Sequence, residues 1–362
     1  MLSEWRSSTM LDGVTDVVLD QAGNLYEGNA ASSTVNVYAS GASGDVAPIR
    51  TLAGPSTGLA VPQGVALDSA GSLYVLNTGG IPANRTITVY PPGADGDTPP
   101  LRTLTGIQVG SGNLNAIAVD RFDNLYLAED VPAIISVFAP GANGAVTPIR
   151  TISGGSTGLD VASKMTFDPL NNLYVANGLS ILIFAPAAAG DVAPMRTISG
   201  PSTGLSDCFD LAVDASGQVY AGNFPPDFSA GSITVYAAGA TGDAPPIRTI
   251  TGVDTGLGVP TGGIALDPPA IIQDNWRWCN TCQGLFYAGN PTTGACPAGG
   301  GHDYSNSADY VLSFSPGGGQ DNWRWCNTCQ GLFYAGLPTT GSCPAEGGHD
   351  YTGSGDYTLI MS

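Results

Sequence analysis

From residue 14 to residue 267 the chain alternates short apolar runs with clusters of turn residues. The clearest instance begins at Gly64. Val65 to Leu67 is apolar, and Asp68-Ser69-Ala70-Gly71 interrupts it. Leu73 to Leu76 follows, then Ile87 to Tyr90, then Leu101 to Leu104. Runs this short, rich in β-branched and aromatic residues and bounded by Gly, Pro, Asp or Ser, predict strands. Each unit therefore has four strands. The same markers recur along the chain. The first strand ends in Asp20, Asp68, Asp120, Asp168, Asp214 and Asp267, at spacings of 48, 52, 48, 46 and 53 residues. The second carries Tyr26, Tyr74, Tyr126, Tyr174 and Tyr220. The third ends in Tyr38, Tyr90, Phe138, Phe184 and Tyr236, and the fourth holds Arg50, Arg102, Arg150, Arg196 and Arg248. This gives five full units and a sixth first strand, Gly262 to Asp267.

Four strands in a period of this length is the signature of a propeller blade. One such sheet cannot bury both faces alone, and successive sheets around an axis bury each other. The repeated residues resemble bacterial NHL-type β-propeller repeats, of the form GIAxDxxGNLYVAN…ITVYxxGAxGDxxPIRTIxG. The resemblance covers roughly residues 14 to 267. It implies an all-β propeller and says little about activity, because such propellers serve as binding scaffolds, structural proteins and a few enzymes.

After Asp267 the pattern changes. Residues 273 to 312 recur almost unchanged at 320 to 359, 47 residues later. Each copy has three cysteines and one histidine, in the spacing C-x2-C-x13-C-x5-H: Cys279, Cys282, Cys296 and His302, then Cys326, Cys329, Cys343 and His349. Three cysteines per copy cannot all pair within it. A C-x2-C turn aims two thiolates at one ion, and a later Cys and His complete a tetrahedron, so two zinc ions are expected. Four protein ligands close the site, which makes it structural rather than catalytic, and metal binding then contributes to folding. A redox C-x2-C with a third thiol, or a disulfide plus one free cysteine, leaves both histidines without a role. The WRWCxxCQGLFYAG…CPAGGxHDY pattern also resembles small tandem cysteine-rich modules attached to bacterial secreted proteins. Ile264-Ala265-Leu266, Val311-Leu312-Ser313 and Thr358-Leu359-Ile360 are 47 residues apart, as if each zinc unit began with a blade's first strand. Five blades and two zinc-stapled units then predict a seven-unit ring. The expected divisions are a polar lead-in at 1–13, blades at 14–261, and zinc units at 262–308 and 309–362. The lead-in, with Trp5, would supply a strand that closes the ring.

Composition narrows the partners. The net charge is −19, with Lys164 the only lysine, so phosphate backbones are repelled and nucleic acid is not an expected partner. No apolar run approaches 18 residues, so no membrane span is expected. The many glycines (51) and prolines (27) fit tight turns between short strands, because the 43% of apolar residues are regularly spaced. The low-Lys, Gly/Thr/Ser-rich composition suggests a secreted or cell-surface bacterial protein. The first 13 residues have no leader-like apolar core, which leaves a cytoplasmic protein or a removed leader as alternatives.

Other residue types also bear on chemistry. The Asp closing each first strand, before x-x-Gly, is expected to cap a tight turn rather than to catalyse. The Asp five residues before the repeated Arg in four units (Asp45, Asp97, Asp191, Asp243) is expected to pair with it. Unit 3 breaks the pattern with Glu129-Asp130 and Ala145, and adjacent carboxylates on a strand face opposite ways. Cys208 stands alone and is expected to be a buried apolar thiol. Trp276 and Trp278, and Trp323 and Trp325, alternate with Arg277 and Arg324, so each pair shares a strand face. They either cover the zinc hairpin or form an aromatic platform for a sugar ring, and two copies would bind a repetitive polymer bivalently. The expectation is a non-catalytic binding, adhesion or self-assembling protein that meets a glycan or protein surface. The alternative is a propeller hydrolase or lactonase. Resemblance to gluconolactonase-like propellers is generic, and no histidine lies within the blades to serve a streptogramin-lyase-like mechanism.

Overall fold

In a computed structural model, the first compact unit runs from Met1 to Pro268 and the second from Pro269 to Ser362. The structure describes residues 13–79, 85–107, 112–224, 231–252, 255, 257 and 263–266 of the first. In the second it describes 272–281, 284–287, 296, 300–305, 310–313, 320–325, 332–334 and 357–359. The lead-in at 1–12, with Trp5, lies outside them.

The first unit holds five four-stranded antiparallel blades. Blade 1 is β1 (Val14–Leu19), β2 (Leu25–Asn29), β3 (Thr34–Tyr38) and β4 (Arg50–Leu52). Blade 2 is β5 (Pro62–Leu67), β6 (Leu73–Asn77), β7 (Thr86–Tyr90) and β8 (Arg102–Thr105). Blade 3 is β9 (Leu114–Val119), β10 (Leu125–Asp130), β11 (Ala133–Phe138) and β13 (Arg150–Ile152), with the short β12 (Gly144–Ala145) reaching back to blade 2. Blade 4 is β14 (Ala162–Phe167), β15 (Leu173–Asn177), β16 (Ser180–Phe184) and β17 (Arg196–Ser199). Blade 5 is β18 (Cys208–Val213), β19 (Val219–Asn223), β20 (Ser232–Tyr236) and β21 (Arg248–Thr251). The expected strands and the blade count agree with this.

Apolar residues on both faces of the middle strands explain the stacking. Leu52, Val65 and Val75 pack together between blades 1 and 2. Leu104, Ile117 and Leu127 do so between blades 2 and 3, Ile152, Met165 and Val175 between 3 and 4, and Ile198, Leu211 and Ala221 between 4 and 5. Fully burying each such aliphatic side chain stabilises by roughly 1.5–3 kcal/mol.

The junctions also share a backbone device. The outer strand of one blade forms a parallel bridge to the loop of the next: Leu52 to Gly96, Leu104 to Gly144, Ile152 to Gly190, and Ile198 to Gly242. In three junctions an aspartate follows the bridging glycine. Asp97 accepts Ser56 N at 2.7 Å and Ser56 Oγ at 3.0 Å, and Asp243 does the same for Ser202. Asp191 accepts Ser156 N at 2.6 Å. For Asp97, Asp191 and Asp243 the expected Asp–Arg pair is therefore corrected. The aspartate holds the preceding blade, and the arginine bonds the tyrosine of its own blade, as Arg50 does with Tyr26 Oη at 2.9 Å and Arg196 with Tyr174 Oη at 2.8 Å. Each guanidinium also lies over that ring, 5.7 Å from the centroid for Arg102 on Tyr74.

Between blades 5 and 1 the ring closes differently. Residues 263–266 run past the axis as a sixth inner segment. The N–H of Ile264 bonds the Asp210 carboxylate, and Ile264 and Leu266 pack on Ala212, Tyr220 and Val235 of blade 5. A Cβ at Gly263 would lie 3.0 Å from Val17 N of blade 1 and 2.7 Å from its Cγ2, so a larger residue there would push the closing segment and blade 1 apart. At the outer edge of blade 5, Ile250 is half-buried, whereas its counterparts Leu52, Leu104, Ile152 and Ile198 are buried. A cavity of about 270 Å³ lined by Val235, Arg248, Thr249 and Ile250 opens there.

The seven-unit ring is thus not what the described residues form. Gly263 approaches Val17 of blade 1 directly. The second unit builds one six-stranded sheet instead, from β22 (Ile272–Cys279), β23 (Gly284–Tyr287), β24 (Tyr310–Ser313), β25 (Gln320–Trp325), β26 (Leu332–Tyr334) and β27 (Tyr357–Leu359). Its order is β23-β22-β24-β27-β25-β26. Each copy supplies three strands, and the copies join where Ser313 pairs with Thr358. Joining satisfies backbone groups that two separate three-stranded edges would leave open.

Candidate metal centre and a charged axis

Cys279 ends β22, where it pairs with Gly284 at the mouth of the first hairpin. Three hydrogen bonds bring its partners close. Cys296 N donates to Gly300 O at 3.1 Å, Asn280 N to Asp303 O at 2.7 Å, and Asn280 Nδ2 to Ser305 O at 3.0 Å. Ser305 Oγ and N bond the Asp303 carboxylate and hold its pKa below the usual range. The result gathers Cys279, Cys296 and His302, whose ligand atoms all lie within 4.8 Å of one another. Both thiols are buried, as is His302 Nε2.

The two sulfurs are 3.8 Å apart and not disulfide-bonded. A disulfide needs about 2.05 Å. Two thiolates on a tetrahedral ion with bonds of about 2.3 Å stand about 3.8 Å apart. The donor set and its spacing therefore fit a tetrahedral, thiolate-preferring metal. Cys282, Cys326, Cys329, Cys343 and His349 lie outside the described residues.

For the tryptophans the backbone register gives position. Trp276 is paired with Tyr287 on one side and Tyr310 on the other, and Trp278 with Leu285. The second copy repeats this, with Trp323 paired to Tyr334 and Tyr357, and Trp325 to Leu332. Arg277 and Arg324 fall on the alternate positions, opposite Phe286 and Phe333. With Ser313 paired to Thr358, Tyr310 and Tyr357 fall on the same face of the sheet.

The aspartates closing the first strands are turn caps, as expected. Asp68 Oδ1 accepts Ala70 N at 3.1 Å and Ser72 N at 2.7 Å, and Asp20, Asp120, Asp168 and Asp214 repeat the arrangement. Burial works to raise the Asp214 carboxyl, but hydrogen bonds from Ser216 and Gln218 outweigh it and hold the pKa low. Asp130 accepts both Asn113 N and Asn113 Nδ2, which gives the unusual carboxylate of blade 3 a structural use. Cys208 is fully buried, and burial raises its thiol pKa well above the ordinary value, which disfavours the thiolate form.

One cluster escaped the sequence reading. The residue four before each capping aspartate lines the axis: Asp16, Gly64, Ala116, Lys164, Asp210 and Gly263. Lys164 Nζ bonds the Asp16 carboxylate across the axis, with side chains 13% and 6% exposed. Asp16 also accepts Val17 N at 2.8 Å and Val65 N at 3.0 Å. Asp210 accepts Leu211 N at 2.8 Å and Ile264 N. Each aspartate therefore ties its own inner strand to the next. The signal was present: the chain's only lysine sits in a column otherwise made of Asp, Gly and Ala.

No family model matches this chain, and no curated protein matches it. Among solved structures it is similar to a protein of unknown function from Bacteroides caccae, with a TM-score of 0.51 and 12% identity, over 70% of this chain and 85% of that one. It is also similar to the WD40 repeats of RRP9, with a TM-score of 0.48 and 12% identity, over 78% of each chain. A streptogramin B lyase is similar at a TM-score of 0.43 and 12% identity, over 66% of this chain and 74% of that one. At such identities the likeness concerns the fold alone, and the fold of this chain is an all-β propeller of five four-stranded blades with a second, smaller β unit.

Proposed function

We propose that this is a non-catalytic binding protein, in which the propeller is a rigid scaffold and the second unit, held by two structural zinc ions, meets a neutral glycan or a protein surface. The observation that carries this reading is the duplicated register Tyr287–Trp276–Tyr310 and Tyr334–Trp323–Tyr357, which lays two aromatic rows on one face of one sheet. Directly paired residues are about 5 Å apart, so each row is long enough for one or two sugar rings to stack. Three strand spacings of about 4.8 Å separate β22 from β25, so both rows are engaged only by an extended or repetitive partner.

The 3.8 Å sulfur pair supports zinc in the first copy, and the identical C-x2-C-x13-C-x5-H spacing supports a second ion. The metal would be held by Cys279, Cys282, Cys296 and His302, and by Cys326, Cys329, Cys343 and His349. It supplies a cross-link between segments too short to build a core of their own. The low-lysine composition supports an exported bacterial protein. The use of the blade aspartates as turn caps favours binding over turnover.

The test is Trp276→Ala with Trp323→Ala, assayed by retention on immobilised neutral polysaccharides. Loss of one aromatic anchor typically costs about 1–3 kcal/mol, or roughly tenfold to a hundredfold in affinity. Weakened retention with zinc content and melting temperature unchanged is the expected result. Unchanged retention refutes the aromatic site. Loss of zinc together with binding assigns the tryptophans to packing.

A further inference from the structure

The axis brings three buried charges together with nothing in the proposed binding role that uses them. They come from three different blades: Asp16 on β1, Lys164 on β14 and Asp210 on β18. Two carboxylates face one ammonium, so the cluster holds one negative charge in excess. Lys164 Nζ bonds Asp16, which leaves Asp210 with backbone N–H donors and the more distant ammonium. One of those donors is Ile264, the first apolar residue of the segment that closes the ring. We infer that the charged axis is an acid-tightened latch, which holds the closing segment and blades 1, 4 and 5 together more firmly at mildly acidic pH than at neutral pH.

The surroundings of Asp210 decide the sign. Its side chain is 3% exposed on a residue basis. Lys164 faces it from β14 and Asp16 from β1, while Cys208 on its own strand and Asp207 just before that strand are the titratable groups beside it. Residues 263–266 bring no charge, only the backbone donor. Burial pushes the Asp210 carboxyl up to about 6; the Lys164 ammonium opposes this, the Asp16 carboxylate adds to it, and the Ile264 and Leu211 N–H groups oppose it. A carboxyl raised in the folded state contributes stability that is complete below its unfolded value and is lost as pH rises through the folded value. The window is therefore between about pH 4 and pH 6. For Lys164 burial lowers the pKa, but Asp16 and Asp210 outweigh it and hold it above the ordinary value, so its contribution is lost only in strong alkali.

The readout comes from the propeller itself. Native-state hydrogen exchange of the full, zinc-loaded chain serves, with rates corrected for intrinsic pH dependence. Protection of the amides of Leu211 and Ile264 is followed from pH 5 to pH 7.5. The expected result is a fall in protection of about tenfold on raising the pH, since about one pH unit of the window lies above pH 5. In Asp210→Asn the profile becomes flat. Lys164→Met, which leaves two uncompensated carboxylates, steepens it. A flat profile in the parent, or the parent's slope persisting in Asp210→Asn, overturns the latch. If Asp210→Asn does not fold, the parent profile and Lys164→Met decide between the outcomes.

Discussion

Replacing Gly54 by alanine tests the blade junctions quantitatively. Gly54 has φ +135°, and a Cβ built on it would lie 2.7 Å from the Asp97 Cβ and closer still to its carboxylate. Gly154 and Gly200 repeat this against Asp191 and Asp243, with φ +127° and +136°. Gly252 in blade 5 has φ +117° and nothing within 4 Å. The chain thus contains its own control. Alanine at Gly252 meets only the backbone cost of positive φ, about 1–3 kcal/mol. Alanine at Gly54 meets the same cost and also displaces Asp97 from Ser56 N and Ser56 Oγ. Two hydrogen bonds to a carboxylate, at a site where both partners are exposed, contribute about 2 kcal/mol together. Gly54→Ala should therefore be less stable than Gly252→Ala by about 2 kcal/mol, or roughly 4–8 °C in melting temperature for a unit of this size. Urea and thermal unfolding followed by circular dichroism would measure it. Measured against Asp97→Ala rather than the parent, Gly54→Ala should lose most of that excess, because the two hydrogen bonds are already absent there. Equal losses at Gly54 and Gly252 would refute the clasp, as would an excess that survives removal of the Asp97 side chain.

Three further outcomes follow from the same geometry. Cys296→Ser should lower the zinc content from about two ions per chain to about one by elemental analysis, as closed four-ligand sites need every ligand. Tyr126→Phe removes the acceptor of the half-buried Arg150 and should cost about 1–2 kcal/mol in unfolding free energy, whereas Tyr220→Phe should cost less, because Arg248 is exposed and also reaches Gln218 at 3.4 Å. Burial pushes the Tyr38, Tyr90 and Tyr236 hydroxyls up to about 12, so their ionisation, followed by ultraviolet absorbance, should trail that of free tyrosine. A raised folded value means that this stability is complete below about pH 10 and is lost as the pH climbs toward 12.

The blades were legible because each one is local. Short apolar strands of five or six residues, a capping aspartate and a tight turn are fixed by neighbours close in sequence, so Asp20 or Asp168 declared its turn without any tertiary information. The metal ligands were legible for a related reason: the C-x2-C-x13-C-x5-H spacing states which atoms must meet, and Cys279, Cys296 and His302 do meet. The partner of a repeated charge was not legible. Asp97 lies five residues from Arg102 but 41 residues from Ser56, and the distant residue is the one it bonds. The axial charges have the same character, since Lys164 and Asp16 are 148 residues apart and only closure of the ring brings them together.

By itself, then, the sequence determined the four-strand unit, its five full copies, the sixth inner segment and the ligand spacing, all of which depend on periodicity and short-range turn chemistry. The tertiary structure alone decided how the units are joined. It put the blade-5 carboxylate against Ile264 and Gly263 against Val17, and it merged the two cysteine-rich copies into a single sheet through one strand pair. Strand pairing depends on which edges are left open once the blades have stacked, and a repeat count carries no record of an open edge.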